Sequence, residues 1–217
     1  MNTIITIGRE SGSAGHKIGK LLAEELGIPC YDRELLEKAS EQSGLSRELF
    51  DNHDEKPTNS FLYSLVMGSY VGGYTNTIVS EMPLNQKVFL AQFETIKSIA
   101  AEGPCVFIGR CADYALELDE RLLSVFIHAD IEARIQRVSI EYGLTNAKAR
   151  EFIMKQDKSR SSYYNYYTTK KWGAPESYNM TVDSGLFGIE GSVALIKKAV
   201  ELKEAGNFSK IYDNPTE

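Results

Sequence analysis

The stretch that decides the fold reads IITIGRESGSAGHKIGKLLAEELG and spans residues 4–27. It opens with the apolar run Ile4, Ile5 and Ile7, which leads into a loop of mainly small residues, 8–15. A segment with apolar residues at helical spacing follows, and Gly27 stands where a helix favours a C-terminal glycine. The stretch therefore predicts a buried strand, a loop of the size that holds a phosphate, and a helix.

The rest of the chain repeats this alternation of strand and helix. Short apolar runs predict four further strands, at 28–31, 105–108, 122–127 and 178–182. Segments of helical periodicity lie at 34–42, 84–101, 131–142, 146–157 and 189–202. Together they predict an α/β fold, a doubly wound five-stranded parallel sheet flanked by helices. Residues 44–83 lack this pattern, and we expect an insertion or cap of short helices there.

Polar residues directly follow the predicted strands. Ligands of open α/β sheets bind outside the carboxyl ends of the strands, where such residues meet. The polar groups that follow strands here are 8–17, 32–33, 109–110, 128–130 and 183–184. Their expected convergence at one edge of the sheet is the main functional clue.

Composition narrows the class of protein. The 217 residues are 42% hydrophobic and 25% charged, as in one compact domain or one domain with a small insertion. A net charge of -6 argues against nonspecific binding to nucleic acid, whose main affinity comes from phosphate neutralisation. No run of about 18 apolar residues exists, and Met1 leads directly into a strand-like segment, so we expect a cytoplasmic protein without a membrane partner.

The three cysteines are Cys30, Cys105 and Cys111, and their spacing matches no CxxC or Cys/His metal motif. We therefore expect reduced thiols in or near the core rather than a zinc site or a disulfide framework.

The loop after the first strand matches the phosphate-binding consensus GxxxxGK[ST] only in part. Gly15 fits the last glycine, Glu10 stands at the first glycine position, and His16 takes the lysine position. Neither Lys17 nor Ile18 offers the hydroxyl that usually holds magnesium. Backbone N–H groups at a helix start would suit a phosphate, but an ordinary glycine-rich turn is also compatible with the motif.

Longer segments resemble the cytidylate-kinase-like family, a branch of the P-loop nucleoside monophosphate kinases. The resemblance is carried by IITIGRESGSAGHKIGKLLAEELGIPCYDR (4–33), VFIGRCAD (106–113), VFIHA (125–129) and DKSRSSYYNYY (157–167). It runs in order over about 3–202 and is weakest within 44–83. Family membership implies a core formed by 1–43, 84–145 and 176–217, an acceptor-binding insertion at 44–83, and a basic LID at 146–175 that covers the donor phosphates.

The resemblance also implies roles for individual residues. Mg²⁺ would arrive as Mg–ATP, with the donor phosphates held by Ser11, Gly12, Ser13, Ala14, Gly15, His16 and Lys17. Arg110 matches an arginine that holds the acceptor phosphate, and Asp157 and Arg160 match part of the LID motif. The predicted catalytic residues are Lys17, Arg110 and Arg160, and the predicted acceptor-binding residues are Asp32, Arg33, Arg110 and Asp113. In cytidylate kinases an acid directly follows the strand-end arginine, whereas Cys111 stands there and Asp113 comes two positions later.

Structural alternatives accompany these roles. Arg110 can pair with an acid at the sheet rim, Arg33 can pair with Glu37, and Arg160 can be a solvated charge. Asp32 is predicted either to orient a substrate hydroxyl or a metal-bound water or to cap the next helix, and His16 either to contact phosphate or to cap its own helix. A structural role is favoured for His128, solvation for Lys170 and Lys171, and packing rather than base stacking for Tyr163, Tyr164, Tyr166 and Tyr167.

Three functions fit these observations. The first is ATP-dependent phosphoryl transfer to a nucleoside monophosphate, with CMP or dCMP as the expected acceptor. The second is a P-loop kinase that acts on another small metabolite, because the resemblance fades in the acceptor region. The third is a nucleotide-binding protein without turnover, which the altered loop favours. The partners expected from the first function are ATP and a small phosphorylated acceptor.

Overall fold

A computed structural model describes residues 1–32, 34–53 and 83–206. Its centre is a sheet of five parallel strands in the order β2-β3-β1-β4-β5. The strands are β1 (Ile4–Arg9), β2 (Cys30–Tyr31), β3 (Val106–Ile108), β4 (Leu122–His128) and β5 (Met180–Asp183). This confirms the predicted fold class and all five strands, although β2 is shorter than expected.

Helices connect successive strands, as parallel pairing requires. They are α1 (Gly15–Leu26), α2 (Glu34–Ser43), α3 (Arg47–His53), α4 (Leu84–Glu102), α5 (Ala112–Ala115), α6 (Ile131–Tyr142), α7 (Asn146–Tyr167) and α8 (Ser184–Ala205), with a short 3-10 helix at Pro175–Ser177. None of the helices in the described ranges is long and apolar enough to cross a bilayer.

Both faces of the sheet are buried, because successive side chains of a strand point to opposite faces. On one face Ile5 and Ile7 pack with Ile18 and Leu22 of α1 and with the apolar side of α8. On the other face Ile4 packs in a second cluster with residues of α2, α4 and β3. Strand β1 is therefore the rigid centre on which the following loop is built.

The register brings the carboxyl ends of the strands together. In β1, Ile4 pairs with Leu122 and Arg9 with Ile127, while His128 pairs with Asp183 of β5. Residues that follow β1, β2, β3, β4 and β5 consequently meet at one edge of the sheet, as the sequence predicts.

Helix α7 is longer than expected. The sequence predicts that it ends near 157, but the helix continues to Tyr167. Its final turns are stabilised by buried rings: Tyr163, Tyr164 and Tyr167 lie in an aromatic cluster with Phe89, Phe126 and Tyr178. Tyr167 stacks on Phe89 with a centroid distance of 4.2 Å. Packing of the buried tyrosines, which the sequence favours over base stacking, is confirmed.

Helix α8 begins earlier than expected. Asp183 caps it through the N–H groups of Gly185 and Leu186, and a kink at Gly188 joins this first turn to the predicted amphipathic segment. The kink has φ 67° and ψ −171°, a conformation that favours glycine. The sequence shows only the regular part of this helix because the kink shifts the helical phase.

The expected insertion at 44–83 is described only in part. Helix α3 packs Phe50 against Leu36, Ala39 and Val88. Residues 54–82, including the glycine-rich stretch 68–75, lie outside the described residues. The three cysteines are free thiols, with Cys105 and Cys111 buried and Cys30 half-buried.

Candidate active site

The loop between β1 and α1 leaves several backbone donors available. Gly12 and Ala14 adopt left-handed conformations, with φ 77° and 61°. Ser13 closes a turn by donating both its N–H and its hydroxyl to the carbonyl of Glu10. Within the described ranges, the N–H groups of Gly12, Ala14, His16 and Lys17 donate no hydrogen bond. Four such groups at the positive end of α1 form a site suited to a phosphate.

The glycines of this loop are required by close packing. A Cβ at Gly15 would lie 2.5 Å from Cβ of Arg9, and a Cβ at Gly12 would lie 2.9 Å from the carbonyl oxygen of Arg134. Both contacts are with atoms that cannot rotate away. The loop therefore lies directly against the end of β1 on one side and against α6 on the other.

A cluster of three charged side chains supports the loop. Arg134 of α6 pairs with Asp157 of α7 at 2.6 Å and with Glu10 at 3.4 Å. Glu10 also accepts a hydrogen bond from the Ala129 N–H, and Asp157 accepts one from the Ser11 N–H at 2.7 Å. Burial raises the pKa of Glu10, and the Ala129 N–H and Arg134 partly oppose that rise.

A second arginine of α6 holds the same loop from the side of α8. Arg137 donates to the carbonyl oxygens of Gly12 and Ser184, at 3.3 and 2.7 Å. The Ser184 hydroxyl donates to the carbonyl of Ser13. These bonds occupy carbonyl oxygens of the loop and leave its unpaired N–H groups available to an anion.

Asp32 contacts both the first turn of α1 and a residue that follows the end of β3. Its two carboxylate oxygens lie 3.2 Å from Nε2 of His16 and 3.4 Å from Nη2 of Arg110. Arg110 is buried and has φ 58°, so its guanidinium is held at the edge of the sheet. The pairing of Arg110 with a rim acid is thus observed. Arg33, another predicted acceptor-binding residue, lies outside the described residues.

One cleft at this edge brings together residues from distant parts of the chain. Arg110 of the β3 end and Arg160 of α7 both line it, together with Arg9 at the end of β1. Its other lining residues are Thr6, Ile7, Gly8, Gly109, Cys111, Asp113, Tyr163, Tyr164, Trp172 and Tyr178. Because guanidinium groups stay charged at any physiological pH, three of them around one cleft favour an anionic ligand.

Asp113 is the acid of this cleft, and it is deeply buried. Its carboxylate accepts a hydrogen bond from the Tyr164 hydroxyl at 2.6 Å. Burial raises the pKa of Asp113, with Tyr164 and Lys170 opposing that rise, and burial also strongly raises the pKa of Tyr164. Asp113 therefore adds less negative charge to the cleft than an exposed aspartate would.

Not every predicted residue lies at this cleft. Nζ of Lys17 lies 3.5 Å from Glu141 at the end of α6, so its side chain is not brought together with Arg110 and Arg160. Lys170 pairs loosely with Glu117. Within the described part of the chain, no cluster of three or more His, Cys, Asp or Glu side chains could hold a metal ion.

Sequence reasoning missed four residues that shape the site, Arg9, Glu10, Arg134 and Arg137. Arg9 and Glu10 lie in the loop 8–15, but the phosphate-binding consensus specifies only glycine, lysine and a hydroxyl residue and assigns them no role. Arg134 and Arg137 stand three positions apart in the helix after β4, so both lie on one side of that helix. This spacing near the carboxyl edge of the sheet could have marked them as site residues.

Comparisons with known proteins show the family of the chain. The sequence model of the cytidylate kinase-like family matches residues 4–186. A relative named cytidylate kinase, from Archaeoglobus fulgidus, is 23% identical over 205 residues, which cover 92% of this chain and 96% of the relative.

Solved structures show the same architecture. An uncharacterized protein from Eubacterium ventriosum is 27% identical, with a TM-score of 0.67 and coverage of 92% of this chain and 98% of its own. Shikimate kinase from Bacteroides thetaiotaomicron is 15% identical, with a TM-score of 0.51 over 93% and 99% of the two chains, and shares the fold alone. The chain has the fold of the P-loop kinases and belongs to the cytidylate kinase-like family.

Proposed function

We propose that the protein transfers the γ-phosphoryl group of ATP to a nucleoside monophosphate, with CMP or dCMP as the acceptor. The observation that carries this proposal is the lining of one cleft by Arg9, Arg110 and Arg160, beside a loop with available N–H groups. Phosphoryl transfer needs concentrated positive charge around two phosphates held in line, and little covalent chemistry from the protein.

The donor phosphates would bind at the loop. The N–H groups of Gly12, Ala14, His16 and Lys17 lie at the positive end of α1 and can donate to an anion. The partial positive charge of these backbone groups does not change with pH. Neither Lys17 nor Ile18 offers the hydroxyl that usually holds magnesium, so Mg²⁺ would be held chiefly by the ATP phosphates and water, as is common for this ion. In this arrangement Lys17 acts through its backbone N–H.

The acceptor phosphate would bind at Arg110. A guanidinium can bind two phosphate oxygens at once, and burial of Arg110 against Asp32 fixes the direction of that fork. Arg160 enters the cleft from α7, the helix that forms most of the predicted LID. There it would stabilise charge on the transferred group, with Arg9 as a third cation at the end of β1.

Cytosine nucleotides are the acceptors that family membership supports. The family and its relative from Archaeoglobus fulgidus carry the name cytidylate kinase. The buried pair Asp113 and Tyr164 lies in the cleft lining and offers polar groups to a base or sugar beyond the phosphate.

A second candidate is nucleotide binding without turnover. It is favoured by His16 at the usual lysine position and by the pairing of Lys17 with Glu141, which leaves no loop lysine at the cleft. The two functions differ in whether bound ATP is consumed.

A panel of acceptors tests the proposal. Purified protein is incubated with Mg–ATP and with CMP, dCMP, UMP, AMP, GMP or shikimate, and ADP formation is followed. We expect CMP or dCMP to accelerate ADP formation above the rate with ATP alone. Acceleration by shikimate alone would point to a small-metabolite kinase, and ATP binding with no acceleration by any acceptor would support the second candidate.

A further inference from the structure

Helices α7 and α6 both bind the backbone of Ser11 in the donor loop, α7 at the N–H group and α6 at the carbonyl oxygen. The Ser11 N–H donates to Oδ1 of Asp157 at 2.7 Å. The Ser11 carbonyl accepts from Nη1 of Arg134 at 3.4 Å, and the same nitrogen donates to Oδ2 of Asp157 at 2.6 Å. Ser11, Asp157 and Arg134 thus form a closed ring of three contacts, which we call the Ser11 latch.

The latch is largely shielded from water. Side-chain exposure is 9% for Arg134 and 15% for Asp157. Ion pairs in such surroundings are screened less than exposed pairs, and loss of one partner leaves the other charge poorly compensated. The latch is therefore a firmer connection between α6, α7 and the loop than the exposed pair Arg150 and Glu132, which also joins α6 to α7.

Arg160 follows Asp157 by three residues on the same helix. Residues three apart lie on neighbouring parts of the helix surface, so the point at which Asp157 is fixed sets the axial and rotational position of Arg160. One end of this short segment is held on the donor loop, and the other end enters the cleft.

We propose that Asp157 is a positioning residue that couples the donor loop to Arg160. When the loop has the conformation that holds a donor phosphate, the latch places Arg160 in the cleft; when the latch is broken, loop and helix move independently. This inference rests on the proposed function for the role of Arg160, whereas the coupling itself is a property of the free protein.

A double-mutant cycle tests the coupling in turnover. Asp157→Asn keeps the size of the side chain, but Ser11 and Arg134 donate to different carboxylate oxygens, so one of the two donors would face the amide NH2 instead of an acceptor. We expect kcat with ATP and CMP to fall about tenfold in Asp157→Asn and about a hundredfold in Arg160→Ala. The double variant should match Arg160→Ala alone, because Asp157 acts through Arg160. A drop equal to the product of the two single effects would overturn the proposal.

Amide hydrogen exchange of the free protein tests the latch without any substrate. Asp157→Asn should speed exchange about tenfold both at the hydrogen-bonded loop amides of Ser11, Ser13 and Gly15 and in the second half of α7, 158–167. The matched control Arg150→Ala, which breaks the exposed pair between the same helices, should leave both segments and kcat unchanged. Faster exchange in only one segment, or in neither, would overturn the coupling.

The two measurements separate this inference from the proposed function. Absence of phosphoryl transfer to every acceptor would refute the proposed function, and the exchange measurement would then decide the latch by itself. Normal transfer by the wild-type protein combined with independent effects of Asp157→Asn and Arg160→Ala would refute the inference alone.

Discussion

Arg110 and Arg160 line the same cleft, although one follows a central strand and the other lies on a helix far along the chain. Arg110 is fixed by burial against Asp32, whereas Arg160 belongs to a helix that reaches the site through contacts with the donor loop. In the proposed reaction Arg110 at the carboxyl edge of the sheet would hold the acceptor phosphate. Arg160 of α7 would supply positive charge to the transferred phosphoryl group.

The first prediction concerns these two arginines. Arg110→Ala and Arg160→Ala should each lower kcat/KM about a hundredfold or more, because each removes a preorganised positive charge from the transition state. Arg110→Lys should recover little of the loss, since an ammonium group lacks the two-pronged geometry of guanidinium.

Arg121→Ala is the matched control for this loss of charge. Arg121 pairs with Asp119 directly before β4, at the opposite end of the sheet. Its removal should leave kcat/KM near the wild-type value. Loss of thermal stability with normal turnover in Arg110→Ala and Arg160→Ala would assign both arginines a structural role instead.

The second prediction concerns Asp32. Asp32→Asn should raise the acceptor KM about tenfold, because a neutral amide holds the Arg110 guanidinium less firmly than a carboxylate does. Steady-state kinetics with varied acceptor measure this change. Glu37→Gln, which weakens the exposed pair with Arg47, serves as the control. An unchanged acceptor KM in Asp32→Asn would show that Arg110 is positioned without this carboxylate.

The third prediction concerns the packing of the donor loop. Gly15→Ala should destabilise the protein by on the order of 1–3 kcal/mol, since the new Cβ would lie 2.5 Å from Cβ of Arg9. Gly19→Ala is the control on the same helix: its Cβ would meet the movable Cδ1 of Ile108 at 3.0 Å. Thermal melts should show a clear loss for the first variant and a smaller change for the second. Equal melting temperatures in both variants and the wild type would contradict the close approach of loop and strand.

The fourth prediction concerns pH. Burial raises the pKa of Asp113 above its ordinary value of 3.8, so the folded state keeps this proton at pH values where the unfolded chain has lost it. The protonated Asp113 carboxyl makes its full contribution to the free energy of unfolding below the pKa of the unfolded chain. That contribution is lost as pH rises through the higher pKa of the folded state. Asp113→Asn removes that loss and retains an oxygen that accepts from Tyr164.

Thermal melts at several pH values measure this effect. The melting temperature of Asp113→Asn relative to wild type should increase from about pH 4 to about pH 8. Glu201→Gln, at an exposed pair with Lys198, should show no such trend. A constant difference between Asp113→Asn and wild type across this range would contradict a raised pKa for Asp113.

Much of the fold could be predicted because the strands are apolar runs with simple periodicity. The apolar run of Ile4, Ile5 and Ile7 predicts β1 without any information from the rest of the chain. Helix α6 was predicted with its observed ends. The second half of α7 could not be predicted in this way. Its tyrosines have weak helix propensity, and the helix is stabilised there by burial against Phe89, Phe126 and Tyr178, which are remote in sequence.

The parts of the candidate site that directly follow a strand could be predicted from the sequence. The parts that depend on contacts between distant segments could not. Arg110 and the loop follow strands, so topology brings them to one edge. The contact of Asp157 with the Ser11 N–H and with Arg134 joins three separate segments, and no local pattern marks it. The orientation of Lys17 toward Glu141 is likewise visible only in three dimensions.

In the proposed reaction the γ-phosphoryl group of ATP moves to the acceptor phosphate. The most direct test is to incubate the protein with ATP labelled in the γ-phosphoryl group, magnesium and CMP, and to locate the label among the separated products. We predict that the label appears in CDP, in equal amount to the ADP formed, and that Arg110→Ala slows its appearance about a hundredfold. Label that remains in ATP, or that is released only as inorganic phosphate, would contradict the claim.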